Sequence, residues 1–319
     1  MTERTGLGPL EVALLRSVEA VCGGSGDYVP TARVLDRLER VERVGPSYGL
    51  LGLQDLGVWW RVPVRLFDLD GNWGSVEGDP MAEALYTKVR LSRAGALALA
   101  AEREEVGPVP VGLLNGSLYR GGRVPPLDPA PTLRLLSHLV EGRPLPGRAF
   151  DRLVRFPTGG TVTGDFDSLY DGRVARMRLG CRIVREETQT GPGLVITGTP
   201  PGVDVDEIFD MLRTRSTPSV RRRLHNGELL PMRPEDDAVG VVDLHDETSR
   251  HAGTRVVVVL DPDADVDAAE QWVQAVWPVT VDVEWQVPGG TDAMLREWAE
   301  RCRVDPSGLE GLKPLVRGG

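Results

Sequence analysis

The sequence has few of the features that mark secreted, membrane-spanning or disulfide-linked proteins. Its three cysteines, Cys22, Cys181 and Cys302, are far apart and odd in number, so they provide neither a disulfide framework nor a paired-cysteine metal site, and we expect buried free thiols. No apolar run approaches the roughly 20 residues that span a bilayer. The N-terminus lacks the charged start and apolar core of a signal peptide. We therefore expect a cytoplasmic protein with no membrane association.

Histidine clusters and an excess of positive charge are absent as well. The four histidines form no HExxH or paired-ligand pattern, and we expect no metal site on this chain. The net charge is −10, from 37 basic and 47 acidic residues. Because local grooves matter more than total charge, this acidity does not exclude nucleic-acid binding. It does require each basic contact to be named individually.

What the 319 residues do contain suits two globular domains, with 41 % hydrophobic and 26 % charged residues. Apolar residues at helical spacing predict a helix over 9–21 and a second helix that begins after Thr31 as its N-cap. A strand pair is predicted over 58–67, closing on a turn at 70–72. Asp79 and Pro80 have the pattern of a helix start, and the segment that follows them, through Tyr86 to about Arg103, is expected to be mostly helical.

From about residue 108 the pattern changes to short strands between proline and glycine turns. Apolar residues alternate with arginines over 175–183, which predicts a half-buried strand with an arginine-bearing outer face. Buried strands are predicted at 194–198 and 255–260, and helices at 204–214, 266–276 and 291–302. This mixture of meandering strands and helices predicts an α+β fold.

Two neighbouring motifs carry the clearest resemblance to a known family. Residues 70–79 (DGNWGSVEGD) and 85–93 (LYTKVRLSR) resemble the active-site region of the gyrase A-type chains of bacterial type IIA DNA topoisomerases, the DNA gyrase and topoisomerase IV family. Shorter matches follow in the family's order at 113–117, 122–126, 156–160, 195–200, 243–250 and 255–260. The chain thus resembles a truncated and divergent member of this family.

The resemblance implies a domain organisation. Residues 1–106 would form a winged-helix-type breakage–reunion domain that carries the candidate tyrosine, and residues 107–290 a tower-like α/β domain. A C-terminal helix and tail would follow at 291–319. The family's long coiled-coil gate and C-terminal β-propeller are expected to be lacking.

The resemblance also implies site residues. Tyr86 occupies the position of the tyrosine that attacks a DNA phosphodiester and forms a reversible 5′-phosphotyrosyl bond. Val124 matches the residue that wedges between base pairs; the alternative is an ordinary residue before the turn at 125–126, and both stay open. The candidate phosphate contacts are Arg61, Arg65, Arg90 and Arg93. Exposed arginines near a helix more often form a solvated face.

Several of the family's cations are missing from this chain. Leu85 stands where the family has an arginine before the tyrosine, and residues 44–48 replace a histidine-containing box. Glu11 lies in a segment that is basic in the family and is expected to face a phosphate. Residues 221–223 form the strongest local basic cluster, which could grip a phosphate backbone or end an exposed helix.

The Mg²⁺ and the ATPase are expected on a Toprim-bearing B-type partner, with no cofactor on this chain.

Two functions therefore stay open. In the first, the chain is a DNA-binding breakage–reunion module of a type II DNA topoisomerase, with weakened or partner-dependent transesterification by Tyr86. In the second, it is a non-catalytic DNA-binding or scaffold homologue that pairs with a B-type partner. A homodimer associated with the nucleoid is implied in either case. Positive charge around Tyr86 would favour catalysis, whereas a neutral or acidic surface and a buried hydroxyl would favour the second function.

Overall fold

The computed structural model describes residues 3–117, 119–188, 191–216, 240–249 and 253–316. Within these ranges helices and antiparallel strands are mixed without a regular alternation, which confirms the predicted α+β class. The basic cluster at 221–223 lies outside the described residues. No helix in the described ranges is both long enough and apolar enough to cross a membrane.

The first part of the chain packs helices against a small three-stranded sheet. In chain order its elements are α1 Pro9–Cys22, β1 Val29–Pro30, α2 Thr31–Arg37, α3 Pro46–Gly57, β2 Phe67–Asp70, β3 Lys88–Leu91 and α4 Arg93–Glu102. The strand order is β1-β3-β2, and both pairings are antiparallel. Leu14, Leu15 and Val18 are fully buried, so the apolar face predicted for α1 is the face that packs on the sheet and its neighbouring helices.

The strand pair predicted over 58–67 is wrong. After α3 the chain forms a turn and an irregular segment, and strand pairing begins only at Phe67. The Asn115 side chain explains this, because its Oδ1 accepts from the Val64 N–H and its Nδ2 donates to the Val64 carbonyl, both at 2.9 Å. A side chain 51 positions away thus takes the place of a strand partner.

The helix predicted to begin at Asp79 and Pro80 is also wrong. The Asp79 carboxylate is turned back along the chain, where it accepts from the Ser75 hydroxyl at 2.9 Å. That hydroxyl in turn accepts from the Asp79 N–H at 3.2 Å, so the carboxylate does not cap a following helix. The chain instead continues through a 3₁₀ turn, Ala84–Tyr86, and strand β3 before α4 begins.

The rest of the chain contributes two further antiparallel sheets and several helices. In chain order these elements are α5 Val111–Asn115, α6 Pro129–Val140, β4 Thr161–Gly164, α7 Phe166–Tyr170, β5 Val174–Gly180, β6 Arg182–Glu187, β7 Pro192–Gly198, α8 Val205–Arg215, β8 Val241–Asp246, β9 Val256–Leu260, α9 Val266–Ala275, β10 Thr280–Gln286, α10 Thr291–Val304 and α11 Ser307–Leu312. The strands predicted at 194–198 and 255–260 are confirmed. So are the helices predicted at 204–214, 266–276 and 291–302.

The sheet ordered β10-β5-β4 has the predicted alternation of apolar residues and arginines. The apolar residues of β5 that face the core are Ala175, Met177 and Leu179. On the outer face Arg178 Nε lies 3.0 Å from the Asp282 carboxylate of β10. Arg176 Nε lies 3.8 Å from the Glu284 carboxylate. Each of these two arginines therefore has its positive charge balanced by an acid of the neighbouring strand.

The sheet ordered β6-β7-β9-β8 has a core of its own. Leu194 and Ile196 of β7 pack there with Ile208 of α8 and Val273 of α9. A separate, larger cluster runs from Leu7 to Leu312 and joins the first sheet to the β10-β5-β4 sheet. The boundaries predicted at 106/107 and 290/291 stay predictions, because buried clusters describe packing rather than independent folding.

Replacing Asn115 by alanine is expected to lower the free energy of unfolding by about 2–4 kcal/mol. The change removes two hydrogen bonds and leaves the main-chain N–H and carbonyl of the buried Val64 without partners. Urea denaturation followed by circular dichroism measures this difference.

Asn72→Ala is the matched control, because the exposed Asn72 side chain also makes two main-chain bonds, at 2.9 and 3.3 Å. Water can replace those bonds, so a loss of about 1 kcal/mol or less is expected. Equal losses in the two variants would contradict the special role assigned to Asn115.

Candidate functional site

Tyr86 stands at the end of the 3₁₀ turn, directly before β3. Its side chain is 75 % exposed, and its hydroxyl has no hydrogen-bond partner among the described residues. The Tyr86 N–H donates to the Glu83 carbonyl at 2.9 Å, which closes the turn. The phenol is therefore presented to solvent, and the hydroxyl is not held in the core.

Gly71 makes the position of Tyr86 possible. Its φ of +97° lies in the region that favours glycine. A Cβ on this residue would stand 2.8 Å from the Tyr86 carbonyl oxygen and 3.3 Å from Thr87 Cα. The start of the loop therefore crosses directly behind the tyrosine, where a side chain has no room.

The loop between β2 and the 3₁₀ turn is held by side chains rather than by strand pairing. Trp73 is buried, and its indole N–H donates to the Asp70 carbonyl at 3.1 Å. Gln54 of α3 donates to the Trp73 carbonyl at 2.7 Å. Asn72 spans the loop, because its Oδ1 accepts from the Gly74 N–H and its carbonyl accepts from the N–H of Ala82 at 3.0 Å. These bonds give the loop a defined path up to Tyr86.

Thr87 fixes the other side of the tyrosine. Its buried hydroxyl donates to the Thr31 hydroxyl at 2.9 Å, and its carbonyl accepts from the Thr31 N–H at 3.1 Å. Thr31 was predicted to be an N-cap, but it is the first residue of α2. Its hydroxyl serves the contact with Thr87 instead of capping the helix.

Arg90 is near Tyr86 along the chain, but its charge is already paired. Its Nε donates to the Asp68 carboxylate at 3.1 Å across the β2–β3 pair. Its guanidinium also lies over the Tyr28 ring, 4.5 Å from the centroid. Asp68 therefore balances the positive charge of Arg90 that would otherwise attract a phosphate.

Arg65 and Arg93 lie at the far end of the sheet from Tyr86. The Ser92 hydroxyl donates to the Arg65 carbonyl at 2.7 Å, which places residues 65 and 92 side by side. Strand β3 separates this end from Tyr86 by roughly 20 Å. Both arginines are exposed and have no ion-pair partner in the described part of the chain. They are free to bind an anion, but not one bonded to Tyr86.

Arg61 faces a different neighbour. Its Nε lies 3.9 Å from the Asp55 carboxylate, and this buried nitrogen has no hydrogen-bond partner among the described residues. A Cβ on Gly202, in the turn before α8, would be 3.5 Å from its Nη1. Burial raises the pKa of Asp55, and Arg61 opposes that rise. The four predicted arginines thus do not converge on the tyrosine.

Two cations closer to Tyr86 were not among the predicted contacts. Lys88 is exposed two residues after the tyrosine, and its Nζ is 3.7 Å from the Asp70 carboxylate. Arg33 is exposed on α2, the helix that packs against the Ala84–Tyr86 turn. The position of Lys88 within residues 85–93 was a sequence signal for it. The signal for Arg33 was its place on the polar face of the second helix.

Val124 does not have the exposure that a wedge between base pairs requires. Its side chain is 3 % exposed and packs beside Leu113, Met294 and Trp298. The preceding turn is held by the Tyr119 hydroxyl, which donates to the Glu297 carboxylate. The predicted wedge is corrected to a core residue in this conformation, because α10 covers the site where the side chain would emerge.

Glu11 does not face outward as expected. Its carboxylate accepts from the N–H of Gly8, the N-cap residue of α1. Its other oxygen accepts from the Ser117 hydroxyl at 3.3 Å. Burial raises the pKa of this carboxyl, and the two hydrogen bonds oppose the rise. The Glu11 carboxylate therefore holds the start of α1 and the Ser117 side chain, and it is not turned outward to repel a ligand at the surface.

The loop before Tyr86 also contacts α8, the helix that packs on the sheet ordered β6-β7-β9-β8. The Val76 and Glu77 carbonyls accept from the N–H groups of Val205 and Asp206, at 3.3 and 2.9 Å, so they cap the start of α8. Burial and neighbouring acids, including Asp79, raise the pKa of Asp206. The side of the tyrosine loop that meets α8 is therefore acidic.

Metal ligands are not gathered in this region. Asp68 and Asp70 are each turned toward a cation, Arg90 and Lys88 respectively. Across the part of the chain that is described, no three His, Cys, Asp or Glu side chains come together as a metal site.

Comparisons with known proteins point to one kind of relative. The chain is 27 % identical to the DNA gyrase A protein of Aminobacterium colombiense over 231 residues, which cover 63 % of this chain and 26 % of the relative. It is 25 % identical to the DNA gyrase A protein of Brachyspira hyodysenteriae over 223 residues, 61 % of this chain and 25 % of the relative. It is also 25 % identical to the DNA gyrase A protein of Streptococcus pyogenes over 234 residues, 65 % of this chain and 26 % of the relative.

No family model matches the chain. The matched region spans about a quarter of the length of these relatives. The similarity supports a gyrase A-like relationship for the greater part of the chain.

Gly71→Ala is expected to destabilise the protein by about 2–3 kcal/mol, because it adds both backbone strain at positive φ and a contact with the Tyr86 carbonyl. The free energy of unfolding in urea measures the loss.

Gly121→Ala separates the two causes. Gly121 has a similar φ of +85°, but a Cβ there meets nothing within 4 Å. It should cost about 1 kcal/mol, from backbone conformation alone. If Gly71→Ala cost no more than Gly121→Ala, the close approach behind Tyr86 would be disproved.

Proposed function

We propose that the chain is a DNA-binding module of the gyrase A type in which Tyr86 is the nucleophile of a breakage and reunion reaction. The observation that carries the proposal is the exposure of Tyr86 on a turn whose path is set from both sides. Gly71 and Thr87 hold the backbone there, while the hydroxyl remains open to a ligand. Similarity to the DNA gyrase A proteins supports it.

The order of elements in the first part of the chain supports a winged-helix domain. Helix α1, strand β1, helices α2 and α3, and strands β2 and β3 follow each other with sheet order β1-β3-β2. Residues 71–87 would then form the wing. This places Tyr86 at the base of the wing and α3 as the helix available to a DNA groove. The sheet ordered β6-β7-β9-β8, with α8 and α9, would belong to the tower.

The proposed reaction is a transesterification. The Tyr86 oxygen forms a bond to phosphorus, the phenolic proton leaves, and the P–O3′ bond breaks to give a 3′-hydroxyl and a 5′-phosphotyrosyl link. Because a phenol is also a good leaving group, the 3′-hydroxyl can attack the link and restore the DNA. Lys88, two residues after Tyr86 and 3.7 Å from Asp70, and Arg33 of α2 are the proposed cations of this chain that stabilise the added negative charge.

The partners belong to the same proposal. The carboxylates beside Tyr86 are engaged by Arg90 and Lys88 and do not suit a Mg²⁺ site. We therefore place the Mg²⁺ and the ATPase on a Toprim-bearing B-type partner and route no step through a metal on this chain. A homodimer is the proposed assembly.

The alternative is a non-catalytic DNA-binding or scaffold homologue, and one observation favours it. Leu85 is 73 % exposed where a cation would act on the phosphate, and Arg90 is paired with Asp68. A charge-stabilising donor at such a site commonly contributes about 3–4 kcal/mol to catalysis. The first proposal therefore predicts slow or partner-dependent cleavage.

Tyr86→Phe is expected to abolish covalent attachment to DNA, because it removes the attacking oxygen. The chain is incubated with end-labelled nicked DNA, Mg²⁺ and a gyrase B-type partner, then denatured. Labelled protein is scored on a gel.

Tyr28→Phe is the matched control, since Tyr28 is 37 % exposed and lies outside both the loop at 71–87 and α3. It should retain the labelled band. Leu85→Arg sharpens the test, because the side chain is exposed and the added guanidinium should raise the yield at least tenfold. Label that persists in Tyr86→Phe would refute the nucleophile. Absent label in the wild type and in Leu85→Arg, with DNA binding retained, would establish the alternative.

Arg65→Gln and Arg93→Gln are each expected to weaken DNA binding, because these exposed arginines have no acid partner in the described ranges. Each lost phosphate contact should reduce the slope of log affinity against log salt by about 0.9. Fluorescence anisotropy of a labelled duplex at several salt concentrations gives that slope.

Arg178→Gln is the comparison, since Asp282 already offsets its charge. Its salt slope should stay close to that of the wild type. If all three variants changed the slope equally, the distinction between free and paired arginines would not hold.

A further inference from the structure

A groove far from Tyr86 runs between α6 and the C-terminal 3₁₀ turn Lys313–Leu315. Its volume is about 550 Å³, which is within the range of small-molecule sites in proteins. The residues that matter for its chemistry are Leu133, Arg134, Ser137, His138, Lys313 and Val316. The proposed DNA reaction uses none of them.

An arginine and a histidine in the groove have no acid partner among the described residues. Arg134 and His138 are exposed one helical turn apart on α6, and neither has an ion-pair partner within the described residues. The nearby acid Glu141 is taken by Arg143, with 2.8 Å between Arg143 Nη2 and the carboxylate. In a chain of net charge −10, an unpaired arginine beside an imidazole that can donate a hydrogen bond, both in a concavity, favours an anionic ligand.

The end of α6 does not cancel this preference. A helix C-terminus carries partial negative charge that disfavours anions. Here Arg303 of α10 donates to the carbonyls of Leu139 and Val140, at 2.8 and 3.2 Å. The guanidinium satisfies those carbonyls and offsets the negative end of the helix beside the groove.

The floor of the groove is apolar, and one hydroxyl reaches it. Leu133 and Val316 line it beside Arg134 and His138. The Ser137 hydroxyl donates to the Leu133 carbonyl at 2.8 Å, which leaves its oxygen as an acceptor toward the groove. A ligand that suits this lining has an anionic group at one end and a flat or apolar body at the other.

We propose that this groove binds a small organic phosphate of about mononucleotide size. A phosphate dianion matches the unpaired Arg134 guanidinium and the His138 ring N–H, with Lys313, which is paired with Glu310, at the opposite wall. The body of the ligand lies on Leu133 and Val316. A DNA duplex, whose major groove alone is about 12 Å wide, does not enter a concavity of this size, so the occupant is a small molecule.

Isothermal titration calorimetry of the full chain tests the proposal with three probes: adenosine 5′-monophosphate, inorganic phosphate and adenosine. The monophosphate should bind best, inorganic phosphate more weakly, and adenosine not measurably. Arg134→Gln should weaken the monophosphate at least tenfold, since it removes a charge-assisted contact.

Arg152→Gln is the matched control, because Arg152 is an exposed arginine outside the groove, without an ion-pair partner among the described residues. It should leave the affinity unchanged. Saturable binding of neither phosphate probe, equal affinities in the two variants, or adenosine binding as tightly as its monophosphate would each overturn the proposal. So would a loss of duplex binding in Arg134→Gln with no change in monophosphate binding.

Discussion

The path of residues 71–87 is the constraint on which the candidate site depends. This segment leaves strand β2 and returns as β3 without a strand partner of its own, so its polar groups must be met in other ways. Asn72, Trp73 and Gln54 meet them with side-chain bonds, and Gly71 lets the two ends cross within van der Waals distance. Tyr86 is exposed because the backbone beneath it has no freedom to fold the phenol inward.

Much of the fold follows from local pattern. Helices α1, α8, α9 and α10 are long enough for apolar spacing to identify them, and the alternation in β5 identifies its two faces. The segment 58–67 has strand-like composition but pairs with the Asn115 side chain. That contact joins positions far apart in the chain, and no periodicity within a short window reveals it.

The position of the candidate tyrosine was predictable from the sequence, but the charges around it were not. The motif around Tyr86 marks the residue, and the structure exposes it. Which arginines are free depends on strand register and on helix packing, neither of which is visible in sequence. Arg90 meets Asp68, and Arg178 meets Asp282, across antiparallel pairs. For the same reason, the burial of Val124 beside α10 could not be predicted from the sequence.

The capping of α8 by the Val76 and Glu77 carbonyls joins two parts of the molecule mechanically. The same stretch of backbone therefore serves two purposes, since it completes the first turn of a helix on the sheet ordered β6-β7-β9-β8 and leads on to the tyrosine. Substitutions at residues 76 and 77 change the surroundings of both.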